Sequence, residues 1–320
     1  MLELIGRRAL GLVPVIVAAS IITFVMLSLL PGDSVIADLP PDFTQEQLDA
    51  RRAELGLDDP LHIRYVDWIT GAVQGDLGRS AITNERVSQL ITERFPVTLQ
   101  IMLMTMVLAL LFSIPLGVFT AYRAGSYFDR AVSAITFGLL SIPNFVLALL
   151  LIILVAVELG WLPATGWTRF TDDPVGSLRS GLLPALTLAV AIVAVLTRLL
   201  RTDMISTLQD DHVVLAKSKG LPTSQILFRH ALRPSSFSLM TVLGLQMAAL
   251  LSGVVVIEEI FALPGLGRRL FAAVNQRDFM VVQGLVLLLA VIYVLVNFIV
   301  DMLYSFLDPR IRHGYARSNQ

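Results

Sequence analysis

The 320-residue sequence contains no cysteine. Disulfides, thiolate nucleophiles, iron–sulfur clusters and cysteine-ligated zinc are therefore excluded. Charge is almost as scarce: Asp, Glu, Lys and Arg make up 15% of the chain, against about 25% in an ordinary soluble domain. Lysine occurs only at Lys217 and Lys219. The formal net charge is −1, so the basic footprint of a nucleic-acid binder is missing and no nucleic-acid partner is expected. What fills the space is apolar: 55% of the residues are hydrophobic and mean hydropathy is +0.75. That is too apolar for a water-soluble fold and predicts a membrane protein.

Catalytic signatures are missing too. There is no phosphate-cradling G-x-x-x-x-G-K-S/T: Lys217 and Ser218 follow Ala216, with no glycine-rich turn before them. The chain is therefore not expected to hydrolyse ATP or to bind a cofactor. HExxH and GxSxG are absent, and the four histidines, His62, His212, His230 and His313, have no metal-ligand spacing.

The most informative absence is of charge in six long runs, residues 9–32, 95–122, 131–157, 180–197, 234–257 and 279–300. A helix crossing the hydrocarbon needs about 20 residues, so six transmembrane helices in an all-α integral membrane protein are predicted. The first run follows Arg7 and Arg8 but is longer than a signal-peptide core, and reads as a retained anchor. Lys and Arg gather in the segments before 9, at 123–130, at 198–233 and after 307, which places both termini in the cytoplasm by the positive-inside rule. The division that follows is an N-terminal span with an external helical region (1–94), a five-span core with the loop 198–235 (95–307), and a cytoplasmic tail (308–320).

Within 31–94, Thr44 and Gln47 form a capping box, with Gly56 placed to end that helix. Asp59 then Pro60 reads as N-cap and first residue of the next helix, with Leu61, Tyr65, Trp68 and Ile69 on one face and Gly75 beyond its end. A third amphipathic piece, 84–94, leads to Pro96. These helices either rest on the membrane surface or form a lid over an outer vestibule. In the loop 198–233, residues 213–219 form two turns, stopped by Gly220 and Pro222, and Thr223 caps a following helix. A helix that short needs its own protein or a partner's cleft to hold it.

No ionisable residue lies mid-span; Glu158, Glu258, Glu259 and Asp301 stand at span ends. This weighs against an ion-driven carrier, which generally needs buried carboxylates. Gln100, Asn144, Gln246, Gln283 and Asn297 are the uncharged polar candidates. Each could make an interhelical hydrogen bond, worth about 0.6 kcal/mol, or line a solute pathway. Pro115 and Pro143 predict kinks.

Several motifs in order resemble one family. They are Pro31-Gly32-Asp33; Leu55-Gly56-Leu57-Asp58-Asp59-Pro60-Leu61 with Tyr65 and Trp68; Gly75-Asp76-Leu77-Gly78-Arg79-Ser80; Ala216-Lys217-Ser218-Lys219-Gly220-Leu221 with Arg229-His230-Ala231-Leu232-Arg233; Glu258-Glu259-Ile260-Phe261, Pro264-Gly265-Leu266-Gly267 and Arg277-Asp278; and Leu307-Asp308-Pro309-Arg310. The chain resembles B-type permeases of the dipeptide/oligopeptide/nickel class of ATP-binding-cassette importers, and 216–221 resembles their EAA loop. Departures are His212 for the family's aromatic residue, Val214 for a frequent Arg, and a proline moved forward to Pro234.

The resemblance implies the type I importer permease (MetI-like) fold and a multi-pass permease of the cytoplasmic membrane. It also implies a second homologous permease, two cytoplasmic ATPase subunits that use ATP and Mg, and an external solute-binding protein. A coupling loop would comprise Asp211, His212, Val213, Val214, Leu215, Ala216, Lys217, Ser218, Lys219, Gly220 and Leu221. Tyr65, Trp68, Glu258, Glu259, Pro264, Gly265 and Gly267 would form a docking surface for the binding protein. The remaining alternative is a stand-alone ion-coupled or facilitative carrier.

Overall fold

The computed structural model describes residues 2–29, 44–54 and 58–307. The motif Pro31-Gly32-Asp33, the helix stop at Gly56 and the tail 308–320 lie outside them. Apart from an isolated β-bridge between Arg79 and Arg86, the regular structure there is helical. Helices α1 (Leu2–Leu29), α2 (Gln45–Glu54) and α3 (Leu61–Val73) precede the long α4 (Val87–Tyr122). Next come α5 (Tyr127–Leu140) and α6 (Asn144–Leu151), the latter running on as a π-helical stretch, Ile152–Glu158. After α7 (Pro174–Thr207) stand α8 (Asp211–Ser218) and the single turn α9 (Thr223–Gln225). A π-helical segment, Ile226–Ala231, joins α9 to α10 (Leu232–Ile260), and α11 (Leu266–Gln276) and α12 (Phe279–Leu307) follow.

Two compact units result, Met1–Thr98 with Leu263–Leu295, and Leu99–Ala262 with Val296–Gln320. Residues 263–295 thus group with the N-terminal region. The reason is apolar packing: Leu266, Ala273, Val281, Val282 and Leu285 bury themselves with Val87 and Leu90.

Five of the six charge-free runs become single helices long and apolar enough to cross a membrane. The run 131–157 instead forms α5 and α6, bent by 103° at a break between Leu140 and Asn144. Contacts within the second unit decide whether this broken pair crosses or turns back. Near its start, Asp129 binds Arg201 toward the C-terminal end of α7. Just past its end, the Trp161 carbonyl accepts from Arg179 in the first turns of α7. Arg179 and Arg201 are separated by about 33 Å along the helix, the thickness of a bilayer's hydrocarbon core. The broken pair therefore runs alongside α7 from Arg201 back to Arg179, as one bent span would.

The direction of α4 agrees. Gln100 meets Ser177, Thr105 meets the Ala185 carbonyl, and Gly117 faces Leu200. The partners advance together, so α4 and α7 run parallel, which requires one return crossing between them. Thr207 meets Ser235 and Leu188 stands over Gly253, making α10 antiparallel to α7. With the broken pair counted as one span, the described residues hold six candidate crossings.

The capping box forms as expected, Thr44 N–H donating to Gln47 Oε1 at 2.9 Å and Gln47 N–H to Thr44 Oγ1 at 3.3 Å. Other helix starts differ from expectation. Pro60 and Pro222 are themselves the N-caps of α3 and α9, so Asp59 does not cap and Thr223 is the first helical residue. Pro143 does the same for α6. In all three the ring holds φ between −56° and −65° while ψ stays extended at 140–147°, so helical dihedrals begin one residue later. The amphipathic piece before Pro96 is not separate: from Val87 onward it is the first part of α4, which accommodates Pro96 and Pro115 without a break.

Candidate functional site

The α7–α10 loop is built around α8. Its two turns start after Asp210 and end at Lys219, and Gly220, at φ +73°, takes the left-handed conformation that reverses the chain. Val213 and Ala216 are buried, and α8 packs on the π segment, where Ile226, Leu227 and Ala231 are buried in turn. The protein itself therefore supplies the support that so short a helix lacks alone. The opposite side is open: Val214 is 54% and Leu215 56% exposed, and Asp211, His212, Lys217, Ser218 and Lys219 are exposed beside them, with Leu221 half-buried. Two apolar side chains ringed by charge make a small hydrophobic knob. Phe228, also exposed, stands on the adjoining π segment.

Two of the three departures from the family pattern, His212 and Pro234, bear on one carbonyl in this loop. Pro234 has no N–H to give to the carbonyl four residues back, that of His230. His212 Nε2 lies 3.4 Å from that same carbonyl. The displaced proline frees an acceptor that the histidine of α8 faces.

In the same unit, Asp129 ties α5 to α7. Its carboxylate accepts from Arg201 Nε at 2.5 Å and Nη2 at 2.7 Å, and from the Gly125 N–H at 2.8 Å. Asp129 is 3% exposed. The sequence reading assigned this pair no role; its only signal is an acid between Arg123 and Arg130, with Arg201 as a distant partner. Gln100 hydrogen-bonds Ser177 between α4 and α7 at 2.9 Å, the structural use open to such residues. Asn144 is half-buried at the first position after the break, and Gln246 and Asn297 are half-buried on α10 and α12. Glu258 is fully buried at the end of α10, whereas Glu259 is exposed.

In the first unit, Ser80, Asp278 and Arg269 form a buried cluster. Ser80 Oγ donates to Asp278 Oδ2 at 2.6 Å, and Arg269 Nη2 donates to the same oxygen at 3.0 Å. The Ile82 and Thr83 N–H groups donate to Ser80 Oγ. The motifs around Ser80 and Asp278, far apart in sequence, thus serve one scaffold. Gly265 and Gly267 are buried and Pro264 is half-buried, so this stretch offers little open surface. Tyr65 and Trp68 are half-buried against α1, Phe24 lying 5.5 Å from the Tyr65 ring and 6.2 Å from the Trp68 ring. Gln283 is buried on α12, its Nε2 without a hydrogen-bond partner. Among the described residues no group of three His, Asp or Glu stands ready to hold a metal ion.

Comparison with known proteins gives this architecture its context. Residues 113–313 match the family described as binding-protein-dependent transport system inner membrane component, and residues 1–102 match the N-terminal region of the same systems' membrane component. A Brucella abortus protein described as a candidate peptide transport system permease is 40% identical over 313 residues, covering 98% of this chain and 100% of its own length. The di/tripeptide transport system permease protein DppB of Pseudomonas aeruginosa is 37% identical, over 98% of this chain and 99% of its own. The glutathione transport system permease protein GsiC of Escherichia coli is 36% identical, over 98% and 100%.

Among solved structures, the inward-facing MetNI methionine ABC transporter superposes with a TM-score of 0.54 at 18% identity. It covers 69% of this chain and 97% of its own, and so supports the fold. Such a permease is not itself an ATPase and works with ATPase and solute-binding partners. The chain belongs to the binding-protein-dependent transport system inner membrane component family, as a membrane-embedded permease of an ATP-binding-cassette importer.

Proposed function

We propose that the chain forms half of the translocation pathway for di- or oligopeptides across the cytoplasmic membrane. Its companions are a second, homologous but distinct permease, two cytoplasmic ATPase subunits that bind ATP and Mg, and an external binding protein. Both termini are cytoplasmic, which agrees with six crossings and with the clustering of Lys and Arg at the α7–α10 loop. The names carried by the relatives, peptide, di/tripeptide and glutathione permeases, support the solute class.

The observation that carries the mechanism is α8, braced from behind by Val213 and Ala216 and presenting Val214 and Leu215 outward. This helix docks in a groove of one ATPase, and nucleotide-driven closure of the ATPase pair moves it as a lever. Reversing a 1:99 population takes about 5.5 kcal/mol of differential interaction, which a solute held weakly by uncharged groups does not supply. The broken span supports a polar pathway lined from α6, because non-helical backbone at membrane depth needs protein or water around it. Asn144 stands at that break, and Gln246, Gln283 and Asn297 are the other pathway candidates.

The test is reconstitution. Peptide uptake into vesicles should require this chain, its companion permease, the ATPase pair, ATP and the binding protein together. A cysteine at Val214 should crosslink to a groove cysteine in an ATPase subunit, whereas one at the buried Ala216 should react poorly. Uphill uptake by the isolated chain, or no Val214 crosslink in any nucleotide state while control positions react, would overturn the reading.

A further inference from the structure

Helix α3 carries more apolar surface than α1 covers. At about 100° of rotation per residue, Leu61, Tyr65, Trp68 and Ala72 fall together, and this is the side that packs on α1. Tyr65 OH lies 2.8 Å from the buried Ser20 Oγ, and Phe24 contacts both aromatic rings. The apolar arc does not stop at that seam. Ile69, Val66 and Val73 extend it around the helix, Val66 53% and Val73 83% exposed, with the exposed His62 the one polar side chain on that flank, at its N-terminal end. Thr70 and Asp67 occupy the other side with the exposed Ile63, and Arg64 stands at the far edge of the seam, its guanidinium 5.9 Å from the Phe24 ring centre.

The level at which α3 sits identifies what covers this arc. Phe24 stands five residues before Leu29, the last described residue of α1, which is about 7.5 Å along the axis. Beside it on α1, Ile21, Ile22, Val25 and Met26 are exposed, the surface of a membrane-crossing helix. The uncovered flank of α3 thus stands at the level of exposed apolar residues on a candidate membrane-spanning helix. Tyr and Trp prefer the boundary between acyl chains and headgroups, where both rings of α3 lie. An amphipathic helix with its polar side turned away and its apolar arc level with that boundary lies in the interface plane.

We propose that α3 is an interfacial helix whose Ile69–Val66–Val73 flank is buried in the lipid of the leaflet at the C-terminal end of α1, the outer leaflet in the orientation given above. It is not a lid hung in water, and the flank is not a protein-docking surface. The chain's lack of cysteine makes this directly measurable. Spin labels would be placed singly at V66C, V73C, D67C and T70C, with I22C on α1 as the lipid reference, in the assembled transporter in phospholipid vesicles. Accessibility to oxygen and to a water-soluble nickel chelate is then compared.

Labels at positions 66 and 73 should show an oxygen-to-nickel ratio close to that at position 22 and several-fold above that at 67 and 70. Equal, high nickel accessibility at 66, 73, 67 and 70 would overturn the proposal in favour of a helix in water. Protection of 66 and 73 from both reagents would overturn it in favour of a protein partner. Because a label can displace a short helix, Trp68 gives a second reading in an unlabelled W161F/W167F chain. Lipids brominated close to the glycerol should quench its fluorescence more than aqueous iodide does, and the reverse order would also defeat the proposal.

Discussion

Ser80 and Asp278 are 198 residues apart in sequence and 2.6 Å apart in space. The carboxylate is fully buried and Arg269, 8% exposed, shares it. Asp278 also accepts from the Ala81 N–H, so one acid holds the loop after α3 and anchors the end of α11. Removing one partner of a buried ion pair leaves an uncompensated charge and costs about 3–5 kcal/mol. D278A should therefore cost far more than S80A, whose loss is the hydrogen-bond penalty of about 1–3 kcal/mol. Thermal unfolding of the purified, lipid-bound permease would measure both. The D278A/R269A double variant should be less unstable than the sum of the single variants, because it buries no lone charge.

The proposed coupling loop offers variants that separate folding from function residue by residue. V214D and L215D alter side chains that already face solvent, so assembly and membrane insertion should be unaffected. Docking of the knob in an ATPase groove, however, should fail, lowering transport by an order of magnitude or more and loosening ATP hydrolysis from solute. V213D places a charge where there is none exposed, against the π segment, and should instead destabilise α8 itself. Protease sensitivity of the loop, read beside transport, distinguishes the two outcomes. Loss of transport with V214D accompanied by wild-type ATPase crosslinking would contradict the docking role.

Much of this molecule is legible in sequence because lipid imposes a simple rule: a spanning helix must be long and free of charge. The capping box at Thr44 and the stop at Gly220 are likewise local, and both appear as read. What is not local is not legible. The break at Pro143 reads as a kink, but its 103° bend depends on how α5 and α6 pack along α7. Asp129 and Arg201 look like unrelated loop charges until α5 and α7 lie side by side. Glu258 and the glycines after Pro264 look like surface by composition, yet are buried by their neighbours. Pro60 marks its helix start one residue too early and Thr223, expected as a cap, is already helical, since extended ψ keeps Pro60 and Pro222 just outside their helices.

Close helix packing in the second unit rests on glycine. A Cβ at Gly117 would stand 2.8 Å from Leu200 Cδ2 and 2.9 Å from its Cβ, and one at Gly244 would run into Val300. Leu200 can turn its terminal methyls but cannot move its Cβ without moving α7, and Val300 is stiff at χ1. G117A and G244A should each cost about 1–3 kcal/mol through overpacking. G138A, where a Cβ meets nothing, should be neutral and serves as the control. Unfolding midpoints of the three variants in one lipid or detergent give the comparison.

Pro234 supplies the last test, because it links helix chemistry to the mobility of α8. Replacing it by Ala restores an N–H that can bond the His230 carbonyl where the π segment joins α10. A neutral hydrogen bond contributes about 1 kcal/mol net, so α10 should become slightly more stable at its start. An intrahelical donor then competes for the same carbonyl with His212 Nε2, 3.4 Å away. P234A should therefore speed amide exchange in α8 while slowing it at residues 230–236. H212F should speed exchange in α8 alone, since it removes the ring nitrogen and leaves the proline in place. If P234A left exchange in α8 unchanged while slowing it in α10, the His230 carbonyl would have no part in holding α8.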